Sequence, residues 1–330
     1  MRLYIGVDFH PHRQTVCWMD EETGELRTKE LLHNTEEVKG FYKAMRPSVV
    51  GIEASSQATW FEDLIFENGH ELVTGDAALI RKRAVSRHKS DKRDAEHILT
   101  LLMNGEFPAL WRRPRESVDL LEMIRLRHSF VRQRTQVGNR LQAMAHEVGI
   151  RKGIIRTARF QKLLLEAEMN EVQAMRRDHL FRLTESLNVQ IGEFDEWLKA
   201  KAEEADKVKL LLTQRGVGYL TALCMVHTLG DVHRFTRTRQ ITAFIGLDPL
   251  ERSSGSRVRF GRISKAGSSL LRFLLGQSAN IASRHDSRLK SFYKRLAKKK
   301  PKAVAKTAAA RKLAVKLSIM LRDSRPCRGV

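Results

Sequence analysis

The sequence predicts an α/β N-terminal domain over residues 1–110, a helical middle region over 111–210 and a mainly helical C-terminal domain over 211–330. Three observations lead to this division. Short runs of β-forming residues alternate with amphipathic segments at the start of the chain, apolar residues recur at helical spacing in the middle, and basic residues are concentrated in the last quarter.

The first domain is expected to contain a mixed sheet covered by helices, because three β-rich runs are followed by alternating helices and strands. Pro47 and Gly69 stand where two helices are expected to end, near residues 45 and 68. The predicted strands are 2–9, 15–19, 25–31, 48–53 and 71–74.

Two series of apolar residues in the middle region predict long amphipathic helices, interrupted around 149–153. The first series is Val137, Leu141, Met144 and Val148, and the second is Leu180, Leu183, Leu187, Ile191, Phe194 and Leu198. Such series fit either a helical hairpin within one chain or a coiled coil between protomers. We expect the coiled coil, and with it a homodimer or a dimer of dimers.

The C-terminal domain opens with a helix, a tight turn at Gly216-Val217-Gly218 and a second apolar helix. This arrangement looks like a helix-hairpin-helix turn, in which the exposed amides of Gly216 and Gly218 bind a backbone phosphate. An ordinary tight turn between two helices explains the same residues equally well.

Charge distribution indicates the partner. The 330 residues include 60 Lys and Arg against 38 Asp and Glu, a formal net charge of +22. Residues 251–330 hold 22 basic and 3 acidic side chains, a net of +19, whereas residues 1–110 hold 14 and 18. Soluble surfaces usually mix both signs, so this excess favours nucleic acid as the partner.

The sequence lacks the features that are typical of membrane, secreted and zinc-binding proteins. No stretch approaches the length of an apolar membrane span, and an acid follows the start too soon for a signal peptide. The separated Cys17, Cys224 and Cys327 suggest neither a disulfide framework nor a zinc cluster. We therefore expect a cytoplasmic protein with no membrane association.

Four carboxylates in the first domain form a candidate metal site. Asp8 and Glu53 lie at the ends of predicted apolar strands, where an unpaired acid is costly to bury. Asp91 and Asp94 are spaced to share one helix face. A solvated helix start explains the second pair alone. The four acids together favour Mg²⁺ or Mn²⁺, because both cations prefer carboxylate oxygens.

A loop rich in serine and basic residues follows in the C-terminal domain. Arginine side chains bind phosphate oxygens through two parallel hydrogen bonds, and a serine beside them can attack phosphorus once it is activated. A phosphate-binding loop without a nucleophile is the alternative. The basic residues are Arg252, Arg257, Arg259, Arg262 and Lys265, and the serines are Ser253, Ser254 and Ser256.

The order of these motifs resembles that of a known family. A strand Asp, a strand Glu and a later Asp-x-x-Asp are similar to the RuvC-like, RNase H-like DEDD domain of the transposases of insertion-sequence family 110, which are related to the Piv DNA invertases. The C-terminal motifs extend the resemblance over most of the chain. They are Gly216-Val217-Gly218, Phe244-Ile245-Gly246-Leu247-Asp248-Pro249, Ser254-Gly255-Ser256 and Ser264-Lys265-Ala266-Gly267.

The resemblance implies a DNA transposase that cuts and rejoins strands. Asp8, Glu53, Asp91 and Asp94 would bind the metal, and Ser254 would form a phosphoserine link to DNA, with Ser253 and Ser256 as alternatives. It also implies a structured bridge RNA that pairs with donor and target DNA. Two other functions stay open: a RuvC-type endonuclease that uses water, and a non-catalytic nucleic-acid-binding protein.

Overall fold

The computed structural model describes residues 3–19, 24–55, 57–83, 90–151, 153, 155, 157–251 and 260–326. The chain divides into two compact units, Met1–Arg112 and Arg113–Val330. The helices expected for the middle region therefore belong to the same unit as the C-terminal segment. The division into three functional domains stays a prediction.

The first unit contains a five-stranded sheet in the order β3-β2-β1-β4-β5. Strand β1 pairs antiparallel with β2 and parallel with β4, so the mixed α/β sheet that the sequence predicts is confirmed. Its central strands are apolar runs whose inward side chains are fully buried. The strands are β1 (Leu3–Phe9), β2 (Arg13–Met19), β3 (Leu26–Leu32), β4 (Ser48–Glu53) and β5 (Glu71–Gly75).

Helices cover both faces of this sheet. Tyr42 and Phe61 are fully buried in a core with β1 and β4, whereas Ala95 and Leu99 are buried in a separate cluster with Cys17. Helix α3 was not predicted from the sequence, because it is short and Ile80 is its one buried residue. The helices are α1 (Glu37–Ala44), α2 (Thr59–Glu67), α3 (Ala77–Arg83) and α4 (Asp91–Met103).

Two long antiparallel helices, α5 (Arg115–Glu147) and α7 (Glu171–Glu204), form a hairpin in the second unit. Polar contacts hold it together, including two hydrogen bonds from Arg127 to Asp195 at 2.8 and 3.0 Å. The short α6 (Ala158–Glu166) caps its far end with Phe160 and Leu164.

The predicted apolar series thus pack within one chain. Val137 and Leu141 of α5 and Leu187 of α7 are buried together, as the hairpin alternative requires. Leu183 of the same series is 46% exposed. A coiled coil between protomers stays a prediction.

Around the base of the hairpin, the remaining helices share one large core. Leu223 of α9, Leu275 of α11 and Leu317 of α13 are fully buried in it. A two-stranded antiparallel sheet of β6 (Pro249–Glu251) and β7 (Phe260–Ile263) replaces the plain loop expected there. The helices are α8 (Asp206–Leu212), α9 (Tyr219–Leu229), α10 (Thr238–Ile245), α11 (Ser269–His285), α12 (Ser287–Ala297) and α13 (Lys302–Asp323), with a 3₁₀ turn at Val232–Arg234.

Across the described ranges, every helix is too short or too polar to cross a membrane.

Candidate active site and nucleic-acid-binding loop

The predicted carboxylates lie at one edge of the N-terminal sheet. Asp8 and Glu53 follow the paired residues Val7 and Ile52, so they occupy neighbouring positions near the carboxyl ends of two parallel strands. Ligands of open α/β sheets commonly bind at that edge. Asp91 is the first residue of α4, just after a serine cap.

Asp8 and Asp91 come close together across an intervening histidine. The His10 Nε2 atom is 3.1 Å from Asp8 Oδ2 and 3.7 Å from Asp91 Oδ2. One possible ligand atom from each of the three residues lies within 4.8 Å of the others. The Asp8 side chain is only 16% exposed. Two carboxylates and an imidazole at this separation fit a divalent cation.

The electrostatics of Asp8 agree with that fit. Burial raises the pKa of Asp8 above its ordinary value, and the negative charges of Asp94 and Asp91 raise it further, while His10 opposes them. Three acids near one point repel one another, and a bound cation removes that repulsion. Asp94 faces the same region because it lies one helical turn after Asp91.

Glu53 is placed differently from the other three acids. Its carboxylate is 41% exposed and lies 3.9 Å from the Arg81 guanidinium. Among the described residues, the close group of possible ligands is Asp8, His10 and Asp91, and it includes neither Glu53 nor Asp94. The structure therefore brings Asp8 and Asp91 together at His10, keeps the Asp94 charge close enough to act on Asp8, and leaves Glu53 on the adjacent strand.

His10 is a functional candidate that was not predicted from the sequence. It follows Asp8 by two residues at the end of a strand, and residues at that spacing point to the same side of a sheet. This spacing is the pattern that identifies it. Arg13 was also missed, and its guanidinium donates a 3.0 Å hydrogen bond to Asp91.

Gly6 sets the distance between β1 and α4. A Cβ atom there would lie 2.5 Å from the Leu99 nitrogen, 2.9 Å from Leu99 Cβ and closer still to the Ala95 carbonyl oxygen. Only glycine therefore allows this close approach. Because Asp8 follows Gly6 on β1 and Asp91 begins α4, this contact also positions the acids.

The predicted serine loop lies mostly outside the described residues. Ser253, Ser254, Ser256, Arg252, Arg257 and Arg259 belong to residues 252–259, for which no geometry is given. Arg262 on β7 and the following Lys265 are described, and both side chains are exposed. Exposed cations at the end of this loop can contact phosphate groups.

The segments on either side of the loop contact each other and form its frame. The Ser264 hydroxyl donates a 2.6 Å hydrogen bond to Asp248, and the Ser264 amide donates to the Asp248 carbonyl at 2.9 Å. Gly246 ends α10 with φ +76°, and a Cβ there would lie 2.5 Å from the Ala266 nitrogen. These contacts hold the two ends of the loop together.

One guanidinium completes the frame. The Arg272 Nη1 atom donates hydrogen bonds to the carbonyl oxygens of Ile245, Ala266 and Gly267 at 3.0, 2.6 and 3.1 Å. It thereby joins the segment before the loop to the segment after it. Burial lowers the pKa of Arg272, but an arginine so far above neutrality stays charged.

The two glycines of the turn between α8 and α9 differ in their surroundings. Gly216 has φ +90°, and a Cβ there would lie 2.5 Å from the Ala282 nitrogen of α11. Its role is therefore close packing. Gly218 is exposed, with open space where its Cβ would be, and precedes the first turn of α9. The phosphate contact predicted for this turn stays a prediction.

Known proteins share both halves of this chain. A family model for the transposases of the IS116/IS110/IS902 family matches residues 208–294, and a DEDD transposase model of the IS110 group matches residues 5–149. Both models describe transposases, and that is the class of protein they define.

Individual relatives give the same result. The chain is 33% identical to the transposase of insertion sequence element IS1111A from Coxiella burnetii, over 62% of this chain and 57% of the relative. It is 30% identical to a protein of Sinorhizobium fredii whose name gives it as a transposase, over 88% and 76%. A Yersinia enterocolitica transposase, that of IS1328, is 26% identical over 84% and 83%. The chain belongs to the IS110/IS116/IS902 transposase family.

Proposed function

We propose that this protein cuts and rejoins DNA strands to move an insertion sequence, using the carboxylates of the first unit and Ser254 of the second. One observation carries the proposal. Asp8 and Asp91 come from distant parts of the sequence, yet possible ligand atoms of the two residues lie within 4.8 Å of one another at the edge of the sheet. Membership of a transposase family supports the same activity.

In the proposed site, Asp8, Asp91 and Asp94 hold a divalent cation, Mg²⁺ or Mn²⁺, and Glu53 joins them from the neighbouring strand. A bound cation stabilises the negative charge that develops on phosphate oxygens during transfer. The strand order β3-β2-β1-β4-β5 supports the RuvC-like, RNase H-like assignment.

The reaction proposed for Ser254 is a transesterification. Its hydroxyl oxygen attacks a backbone phosphorus, a phosphoserine bond forms, and the bond from phosphorus to one deoxyribose oxygen breaks. The serine proton is transferred to a base, and the departing oxygen takes up a proton. A hydroxyl of another strand then attacks the phosphoserine and releases the serine. The number of phosphoester bonds is unchanged, so no energy-rich cofactor is consumed.

Nucleic-acid binding is assigned to the C-terminal segment. Arg252, Arg257, Arg259, Arg262 and Lys265 would contact phosphates, and the turn at Gly216 and Gly218, besides its close packing on α11, would present backbone amides to a further phosphate. We propose that a bridge RNA selects donor and target DNA by base pairing, and that the protein recognises the backbone and the overall shape of the nucleic acids. The net charge of +19 over residues 251–330 supports a polyanionic ligand of this kind.

We also propose that protomers associate through α7. Val172, Met175, Leu183 and Trp197 are between 40% and 67% exposed. At about 100° per residue they fall within an arc of about 80° on one face of the helix. Replacing Leu183 by Glu should convert dimers to monomers in analytical ultracentrifugation, whereas Glu185→Gln should not. An unchanged mass for Leu183→Glu would contradict this interface.

A mixing experiment tests the catalytic proposal. Neither Ser254→Ala nor Asp91→Ala chains alone should form a covalent protein–DNA adduct. If active sites combine a serine and acids from different chains, some mixed assemblies should regain one intact site and trap the adduct on denaturing gels.

The outcomes separate the candidate functions. Adduct formed by Ser254→Ala alone would remove that residue from its role, and Ser253→Ala and Ser256→Ala would then identify the nucleophile. Cleavage without any adduct in the wild type would assign the protein to the water-using RuvC-type endonucleases.

A further inference from the structure

The second unit contains a cavity of about 820 Å³ whose walls come from the end of α8, the start of α12 and the middle of α13. Pockets of about 300–1,000 Å³ commonly bind small molecules or single groups of larger ligands. Among the described residues, none of those proposed above for metal binding or phosphate contact lines this cavity.

The cavity has an apolar floor. Leu289 and Leu313 are buried there, and Phe292, Val315 and Ile319 are half-buried beside them. The Phe292 ring lies 4.2 Å, measured to its centroid, from the Lys312 ammonium. A flat ring that displaces the Lys312 side chain would find an aromatic surface in Phe292 and an apolar base in Leu289 and Leu313.

The rim of the cavity is basic. Arg215, Arg288, Arg311, Lys312 and Lys316 line it, and Asp286 is the one carboxylate among the described residues that line it. Asp286 is already engaged, because it accepts a 2.6 Å hydrogen bond from Lys316 and caps α12 through the Leu289 amide at 2.9 Å. The cavity as a whole therefore favours an anion.

The ligand must combine negative charge with a flat apolar surface. Inorganic phosphate would leave the apolar floor without a partner, and in a duplex both faces of each base are already stacked on neighbouring base pairs. A single unpaired nucleotide has a planar base for the floor and a phosphate for the rim. Proteins that recognise unpaired bases use this combination of aromatic stacking and basic side chains.

We propose that this cavity binds one unpaired nucleotide of the nucleic acid held by the C-terminal segment, with its base against Phe292 and its phosphate against Arg288 and Arg311. The inference rests on the proposed nucleic-acid-binding function. It adds a separate subsite that would distinguish strands with an unpaired nucleotide from continuous duplex.

The test compares a single-stranded oligonucleotide containing one 2-aminopurine with a duplex of the same sequence. Titrations with the full chain measure affinity and 2-aminopurine fluorescence. The variants are Phe292→Leu, which keeps an apolar side chain, and Arg288→Ala. Lys298→Ala is the matched control, because Lys298 is an exposed basic residue that does not line the cavity.

Both cavity variants should weaken single-strand binding more than duplex binding, and Phe292→Leu should do so by about 5-fold or more, since stacking of one base on an aromatic ring has an effect of this order. The fluorescence change on binding should fall with it. Circular dichroism verifies that the helices of both variants remain folded, and Arg288→Ala tests the site even if Phe292→Leu destabilises the core.

The proposal would be overturned if the cavity variants weakened single-strand and duplex binding equally, or if their effects were no larger than those of Lys298→Ala. The proposal would also be overturned if binding of the oligonucleotide left the 2-aminopurine fluorescence unchanged while an acidic peptide displaced the oligonucleotide. That result would assign the cavity to a protein partner. If the wild type binds neither probe, the proposed nucleic-acid function itself fails.

Discussion

Replacing Gly6 by Ala should separate β1 from α4 and disturb the candidate metal site. The added Cβ would lie 2.5 Å from the backbone nitrogen of Leu99, whereas ordinary van der Waals contact begins near 3.4 Å. The helix must therefore move by about 1 Å. Asp91 and Asp94 occupy the first turn of that helix, so the shift also moves them relative to Asp8.

The expected effects have two parts. Overpacking of a close backbone contact costs about 1–3 kcal/mol in the free energy of unfolding. A displacement of about 1 Å in a catalytic group can lower activity by about 100-fold. Gly40→Ala is the matched control, because Gly40 lies in α1 with open space around its Cβ position. Alanine there should stabilise the unit by about 0.8–1 kcal/mol.

The assay uses the full chain. Hydrogen exchange measured by mass spectrometry over β1 and α4 reports the local free energy of opening, and isothermal titration with Mn²⁺ reports the metal site independently of DNA cleavage. Gly6→Ala should lose protection in both elements and bind Mn²⁺ more weakly. Wild-type protection and wild-type Mn²⁺ affinity in Gly6→Ala would refute this account of the glycine.

Two further changes test the second unit. Gly246→Ala should destabilise the frame of the serine loop by about 2–4 kcal/mol, because φ +76° is strained for alanine and the Cβ meets Ala266, and DNA affinity should fall in a filter-binding assay. Asp195→Asn should cost about 1–3 kcal/mol in thermal unfolding through weaker bonds to Arg127 and Tyr219. Burial raises the pKa of Asp195, but those two hydrogen bonds and the positive charges of Arg127 and Lys199 together lower it more, so its pKa lies below the ordinary value. Its stabilising effect is therefore present above about pH 4 and lost as pH falls through the folded pKa, and Asp195→Asn should remove that part of the acid sensitivity.

Much of the local structure could be predicted from the sequence. The runs at 48–53 and 71–74 became β4 (Ser48–Glu53) and β5 (Glu71–Gly75), because apolar strands are bounded by residues that interrupt regular structure. Short elements with few buried residues escaped prediction. Helix α12 (Ser287–Ala297) is an example, since Leu289 is its one buried residue.

The basic last quarter of the chain is also part of a folded core. The structure shows that Leu275 and Leu317 of this segment lie in the main core of the second unit. Removing residues 251–330 would therefore unfold that core along with removing the charge. Single exposed substitutions such as Arg262→Ala are the appropriate test of salt-dependent binding.

The sequence by itself determined which residues were available for chemistry: acids at strand ends, a serine among arginines, and a basic C-terminal segment. Hydrophobic periodicity and turn residues are local features of the sequence. They therefore predict helices and strands, but not which helices and strands pack against each other. Only the tertiary structure decided that His10 lies between Asp8 and Asp91, that the apolar series of α5 and α7 pack on each other within one chain, and that Arg272 joins the two ends of the serine loop. Each of these contacts joins different elements of the fold, so each depends on how those elements pack together and not on their local sequence patterns.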